Sequence, residues 1–509
     1  MTHITQTLVD LLREAVARDP AGLYARFNDA PFTYERLNRE SDALAASLSG
    51  AGLKAGDRVA VMMRNSVAAL SVIFGLSKAR LIWVPVNAQQ RGEGLRYILD
   101  HSQPALAIAD GDFVPLLREA EPASGLRILA LGDSQDADSL DAVLVGRAIF
   151  AGDRPQLNDV FAIMYTSGTT GRPKGAIVSH LMLQLASEAV ALVSAARPSD
   201  VFFVWEALYH IGGAQLLPLP MSHGIKLAMV DRFSASRFWD QAKAAGSTHI
   251  HHLGGILQLL LKQPSSPLDR THGVRIAWGG GCPRDIWEAF QDRFGVQIRE
   301  CYGMTEASSI TTYNDNGVVG AVGKPVPWFD VRLLDAEGRD VPQGERGEIV
   351  VTTSLPGAIF TGYFNNPEAT AKALRNSALY TGDYGSFDSN GTMYFHGRMT
   401  DSVRCRGENV SAWEVEYVAA DHPDIEDCAM VGVASDIGEQ DIKLFVKRKP
   451  GHALEAPALS AWLAARLASY QNPRYLAFVD DFERTASQRI MKHKLSKALD
   501  DCWDRLAKV

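Results

Sequence analysis

Residues 165–175 read YTSGTTGRPKG, joining Gly168, Gly171 and Gly175 to the hydroxyls of Thr166, Ser167, Thr169 and Thr170 and the ammonium of Lys174. Glycines without a Cβ let backbone N–H groups approach an oxygen closely, hydroxyls add donors, and the lysine adds a mobile positive charge. Together these are the means to hold phosphate. A solvated Gly/Ser/Thr hairpin is the plain alternative, but it does not need donors at this density.

The loop is not a Walker motif, which requires G-x-x-x-x-G-K-[ST] followed at once by a helix. Five residues on from Gly168 stands Pro173, and Lys174 is followed by Gly175. The flanks VFAIMY and GAIVSH both read as strands, and a helix is expected only from about Ser179, a residue suited to an N-cap. Strand–loop–strand is the layout of a flap over phosphates rather than of a helix-end nest.

YTSGTTGRPKG resembles the signature loop of adenylate-forming enzymes, the family of acyl-CoA synthetases, peptide-synthetase adenylation domains and beetle luciferases. Further segments resemble that family's motifs in the same order. In ECYGMTEAS (300–308) the resemblance implies that Glu300, Cys301, Tyr302, Gly303 and Met304 wrap the adenine and α-phosphate of ATP, that Thr305 contacts the phosphate, and that Glu306 holds Mg²⁺. Chemistry makes such groups necessary, because a carboxylate attacking a triphosphate meets like-charge repulsion that a divalent cation and fixed donors must neutralise. VRIAWGGGCP (274–283) resembles the adenine-binding turn, with Gly280, Gly281 and Cys282 toward the nucleotide and Trp278 and Gly279 toward the acyl group; Gly281 and Cys282 stand where Ala and Pro are frequent. In YTGDYGSFDSNGTMYFHGRMTD (380–401), Asp383 matches the acceptor of both ribose hydroxyls, Arg398 an arginine that reaches ribose or phosphate, and Asp401 the hinge. RCRGENVSAWEVE (404–416) resembles the glycine turn that a rotated C-terminal domain brings to the site, which assigns Gly407 and Glu408 to CoA and the second half-reaction.

The resemblance weakens in two places. Where the family has T-x-x-G-K-I, with a lysine on the reacting carboxylate and α-phosphate, this chain has RTASQRIMKHKL (484–495), so that Gln488 and Arg489 replace Gly-Lys. Arginine keeps the charge but not the geometry of an ammonium. Either Arg489 or Lys492 substitutes, or adenylation is impaired. On the acyl side, WEALYHIGG (205–213) matches an aromatic–His pair, which places Tyr209 and His210 in the acyl pocket; a lone histidine is also a common structural residue. The only acid in this stretch is Glu206, which disfavours an amino-acid substrate. Residues 231–261 look most like the crotonobetaine/carnitine-CoA ligase group and its fatty-acyl relatives.

The elements that must position these residues alternate. DRVAVMM (57–63), LIWVPV (81–86), PALAIAD (104–110) and LRILAL (126–131) read as strands, and SVAALSVIFGLSKA (66–79) as a core helix. Between about 325 and 365 the texture changes to strands around Gly- and Pro-bearing turns, an antiparallel piece; the last hundred residues return to α/β alternation. Weaker likenesses at 32–48, 52–66, 320–333 and 362–370 carry the resemblance over nearly the whole chain. The implied fold is α/β: an N-terminal unit (1–400) of two α/β subdomains plus a small β-barrel, then a smaller, mobile C-terminal α+β domain (401–509).

Composition agrees with a large soluble enzyme. The 509 residues are 46% hydrophobic and 22% charged. Five scattered cysteines with no CxxC pairing argue against a disulfide framework or zinc site and for a reducing compartment. The N-terminus carries charges through its apolar stretch, unlike a signal peptide, and Lys78 and Arg80 interrupt the most apolar window too early for a bilayer span. A net charge of −8 leaves no footprint for nucleic acid or anionic membrane. A cytoplasmic enzyme is expected.

The implied activity is an acid–thiol ligase that uses ATP, Mg²⁺ and CoA to convert a small-molecule carboxylic acid to its thioester through an acyl-adenylate. Alternatives are a stand-alone enzyme loading a carrier protein, or a nucleotide sensor without catalysis. No carrier domain is read before the chain stops at Val509, and LGDSQDADSL (131–140) is only superficially like a phosphopantetheine attachment site. A homodimer is compatible with all three.

Overall fold

The computed structural model describes all residues except 1–3, 29, 121–124, 167–171, 254–255, 283, 336, 399–401, 436–437, 484–489, 491 and 508–509. Two large sheets form the N-terminal part. The first has seven strands in the spatial order Asp138–Ser139, Ile128–Leu131, Leu106–Asp110, Arg58–Met62, Ile82–Pro85, Val160–Thr166 and Lys174–Ser179. Its pairings are parallel apart from the last, an antiparallel hairpin in which Thr166 faces Lys174. The second has nine strands, and its parallel run includes Val201–Val204, His249–Leu253, Ile276–Gly280 and Gln297–Tyr302.

Two helices explain how the sheets share one core. Val67–Lys78 is capped by Ser66 and buried at every position from Ala68 onward, as expected for a helix that is apolar all round. His180–Ser194 starts where the Ser179 Oγ accepts the Met182 N–H at 3.1 Å, the expected N-cap. It touches Val160–Thr166 and Lys174–Ser179 on one side and Ile276–Gly280 and Gln297–Tyr302 on the other. The hairpin that carries the phosphate loop is therefore packed, through one helix, on the strands that end in GGG and ECYG. At its base Tyr165 donates to, or accepts from, His101 Nδ1 at 2.7 Å within a cluster that includes Tyr97 and Phe364.

The expected strand-rich piece extends further than the sequence texture, to Arg398. It is an antiparallel sheet of Asp330–Leu334, Gly347–Thr352, Leu374–Arg375, Ala378–Phe387 and Met393–Arg398. Among the described residues its pairings remain open instead of closing into the expected barrel; the far strand is bridged to the nine-stranded sheet's loop through Met393 and Gly323. C-terminal to it lie the hairpin Ser402–Cys405/Glu408–Ser411 and a mixed four-stranded sheet of Ile425–Ala434, Gln440–Arg448, Tyr475–Val479 and Trp503–Asp504. This smaller domain has its own apolar core, with Val410, Val415, Leu444, Val446 and Leu459 fully buried. The expected hinge residue Asp401 lies outside the described residues. No helix among the described residues is long and apolar enough to cross a membrane.

One crossing sets the depth of the site. After Glu306 the consecutive residues Ser308 (φ 48°) and Ser309 (φ 70°) reverse the chain in left-handed conformation. This turn lays the Ser309 carbonyl over Gly303, where a Cβ would stand 1.7 Å from that oxygen. Gly303→Ala is expected to destabilise the protein by about 3 kcal/mol or to abolish folding, because backbone cannot yield as a side-chain tip would; urea unfolding checks this, and a loss below ~0.5 kcal/mol would contradict so tight a crossing.

Candidate active site

Strand ends from both large sheets, the antiparallel unit and the C-terminal domain meet around one cavity of about 1360 Å³. Thr166, Lys174, Tyr209, His210, Trp278, Gly280, Gly281, Cys282, all residues from Glu300 to Glu306, Asp383, Gly407, Glu408 and Lys492 line it. Residues more than three hundred positions apart are thus brought together around one cavity. Ser167, Gly168, Thr169, Thr170, Gly171 and Arg489 lie outside the described residues, as does the side chain of Arg398; the backbone of Arg398 pairs with Asp383.

The ECYGMTE segment is held by its own polar groups. Buried Glu300 accepts the N–H groups of Gly281 and Cys282, locking the glycine turn to the neighbouring strand. Burial raises its carboxyl to about 8, although those two N–H bonds oppose the shift. Burial likewise pushes the Cys301 thiol far up, so it is not a ready nucleophile. Tyr302 donates its O–H to Asp383 Oδ2 at 2.7 Å and stacks on Phe395. Thr305 and Glu306 occupy a single 3-10 turn, Thr305–Ala307, and both are buried. Glu306 Oε1 accepts the Tyr363 O–H at 2.7 Å, and its backbone carbonyl accepts the Phe360 N–H. Lys174 lies 5.1 Å from the Tyr363 ring; burial lowers its pKa and the Glu306 charge counteracts this.

Two placements differ from the sequence expectation. Gly279 does not line the cavity. Its φ of +153° lets it pass the neighbouring strand where a Cβ would be 1.9 Å from the His252 carbonyl, so its role is close strand packing. Lys492, a candidate for the family lysine's role, is on the wall at the start of the short 3-10 turn Lys492–Lys494, but its Nζ pairs with Glu416 of the same domain at 2.6 Å.

Several contributing residues carried no clear sequence signal. Tyr363 lies in GYFNNPEAT, a weak likeness that did not point to a partner for Glu306. His251 and Gln215 line the cavity from a strand and a short helical segment whose patterns read as ordinary core. Glu206, read as a lone acid, is paired with His251.

The C-terminal domain covers the end of the cavity lined by Tyr209 and His210. Arg406 (φ 53°) and Gly407 (φ 80°) form a left-handed turn, and Glu439 accepts the Gly407 N–H at 3.0 Å. Glu408 Oε1 is thereby brought to 2.9 Å from His210 Nε2 and 3.4 Å from the Asn87 amide. Ser469 donates to Gln89 at 2.7 Å and Tyr470 to Gln90 at 3.3 Å, adding a second seam.

A large α/β body, a small domain latched over the ends of its strands and a cleft rich in donors define a nucleotide-binding enzyme of the adenylating type. The AMP-binding enzyme family profile matches residues 12–364, and the profile of the AMP-binding enzyme C-terminal domain matches residues 414–489. The crotonobetaine/carnitine–CoA ligase of Salmonella paratyphi A is 31% identical over 489 residues, covering 91% of this chain and 93% of that protein. Among solved structures, a double mutant of o-succinylbenzoate CoA synthetase from Bacillus subtilis, bound to a product analogue, superposes with a TM-score of 0.84 at 22% identity, over 97% of this chain and 99% of its own. The amide bond synthetase of Marinactinospora thermotolerans reaches 0.85 at 22% identity, over 96% and 99%. This chain belongs to the AMP-binding enzyme family and stands among its adenylate-forming CoA ligases.

The latch is titratable. Burial alone would lower the pKa of His210, but the charge of Glu408 and its hydrogen bond outweigh that and raise it above 6.5. A raised pKa means that the closed arrangement favours the protonated ring. The His210 contribution to closure is therefore complete below about pH 6.5 and lost as pH rises through the raised value. Fluorescent labels on the two domains should report opening across that window in the wild type and a flat response in His210→Phe; identical profiles would exclude His210 as the titrating group.

Proposed function

We propose that this protein is an ATP-dependent acid–thiol ligase that converts a carboxylic acid to its acyl-CoA and releases AMP and pyrophosphate. The observation that carries the reading is the meeting of Thr305, Glu306 and Asp383 with the Gly407–Glu408 turn of the second domain in one cavity.

A carboxylate oxygen attacks the α-phosphorus of ATP, the bond to the pyrophosphate oxygen breaks, and an acyl-adenylate remains. The CoA sulfur then attacks the acyl carbon, the tetrahedral centre collapses, and AMP leaves with the bonding pair. AMP is the better leaving group, which is why the first step is needed. In this scheme Asp383 accepts the ribose hydroxyls, oriented by the Tyr302 O–H, and the glycines at 280–281 admit the flat adenine. Thr305 and Lys174 donate toward phosphate. The domain contact at His210 excludes water from the acyl-adenylate, and its release and re-formation would separate the two half-reactions.

Glu306 fits a magnesium ligand. Tyr363 occupies one of its oxygens, and the residue lines the cavity. No cluster of three or more His, Cys, Asp or Glu able to hold a metal occurs among the described residues. This suits a cation that binds one or two carboxylates and takes its remaining ligands from phosphates and water. When bound, Mg²⁺ would neutralise charge on the departing pyrophosphate.

The decisive experiment measures pyrophosphate and AMP from purified protein with ATP, Mg²⁺ and a panel of carboxylic acids, with and without CoA. CoA-dependent AMP and thioester are expected. Adenylate that discharges only to a carrier protein or an amine would favour a different acceptor, and ATP binding without turnover would favour a sensor. Glu306→Gln should slow pyrophosphate release about 100-fold, on the order of 3 kcal/mol; an unchanged rate removes Glu306 from the metal site. If Arg489 stands in for the family lysine, Arg489→Ala should slow adenylation far more than thioester formation from preformed adenylate. A defect found only in Lys492→Ala would transfer the role to that residue, after its release from Glu416.

A further inference from the structure

We propose that the acid taken by this enzyme bears a hydroxyl group on its acyl chain, and that His251 is the residue that recognises it. The proposal rests on the ligase reading above and deepens it at the acyl end of the same cavity.

His251 lies in the strand His249–Leu253, in register with Trp278 of the next strand, and the two rings pack at a tilt of 39° with centroids 4.0 Å apart. Its Nδ1 edge lies against Glu206 Oε2, and both side chains are buried. Glu206 does not reach the cavity. It sits behind Gly212, where a Cβ would meet Glu206 Oε1 at 2.9 Å. The cavity therefore meets this carboxylate only through the imidazole, and a substrate amine cannot pair with it directly.

A carboxylate against Nδ1 favours the neutral tautomer that carries its proton on that nitrogen, which leaves Nε2 with its lone pair. His251 lines the cavity and has no hydrogen bond at Nε2 among the described residues. Two neighbouring polar side chains, Ser309 and Gln215, are already engaged. Ser309 donates to Gln215 Oε1 at 2.7 Å, and Gln215 Nε2 donates to the Gly212 carbonyl at 3.0 Å. A plain alkyl chain filling this end would bury the Nε2 lone pair without a partner, which a site of this construction penalises. A hydroxyl donates to it, and desolvating a neutral hydroxyl costs far less than desolvating a second charge.

The test uses short and medium straight-chain acids, each with and without one hydroxyl at successive positions. Pyrophosphate release gives kcat/KM, and calorimetric titration of the same acids gives Kd without turnover. For the wild type, the best hydroxy acid should exceed its parent by ~10-fold or more, mainly through KM. His251→Phe, which keeps a ring against Trp278, should reduce that ratio to about one or below. Glu206→Gln, which no longer holds the tautomer, should lower it while leaving the ring in place. Equal or better handling of every parent acid by the wild type would overturn the proposal, as would a ratio unchanged in His251→Phe. If that variant does not fold, an unchanged ratio in Glu206→Gln has the same force. Failure of every acid to release pyrophosphate would instead strike the ligase reading, and the calorimetric ratios would still decide the hydroxyl preference.

Discussion

Two buried carboxylates, each held by a tyrosine hydroxyl, set the frame of this molecule. A carboxylate out of water is costly unless it is hydrogen-bonded or paired. Here Tyr302 satisfies Asp383 and Tyr363 satisfies Glu306. Each bond also crosses between units, because Tyr302 and Glu306 belong to the end of the nine-stranded sheet while Asp383 is in the antiparallel sheet and Tyr363 in the segment leading to it. The same two contacts that make these acids tolerable in the interior align the parts of the proteins on which a nucleotide would rest.

Close backbone approach does the remaining positioning. Gly303 and Gly279 pass carbonyl oxygens at distances that no side chain would permit. The strands Ile276–Gly280 and Gln297–Tyr302 can therefore end side by side, and Glu300 ties the ends together by accepting N–H groups from the glycine turn. Donors and acceptors at the floor of the cleft are thus fixed before any ligand arrives, which is the condition for electrostatic stabilisation without reorganisation. The opposite wall is built differently. It comes from a separate domain with its own core, joined through His210, Glu408 and a few polar side chains, contacts that can be broken and remade at small cost.

Membership of the family could be read from the linear chain, because YTSGTTGRPKG and ECYGMTEAS are unbroken local segments whose resemblance to the motifs of adenylate-forming enzymes needs no fold to be seen. The helix cap at Ser179 and the core helix after Ser66 were legible for the same reason, since capping and apolar periodicity are local properties. Tyr363, His251 and the partner of Glu206 were not. Each acts through a contact with a residue distant in the chain, and single tyrosines or histidines in apolar surroundings look the same whether they pack or bind. The antiparallel unit was recognised by its turns, yet its open pairing was not, because register and closure are long-range properties.

The sequence alone determined the family, through the order of the segments that resemble its motifs and the alternation of strand and helix that presents them. Tertiary structure decided which charges survive to meet a ligand. It assigned Glu206 to His251, Lys492 to Glu416 and Glu408 to His210, and it moved Gly279 from a pocket wall to a strand crossing. The reason is that residue type and local spacing state what a group can do, whereas the availability of that group depends on burial and on partners that only the folded chain brings within hydrogen-bonding distance.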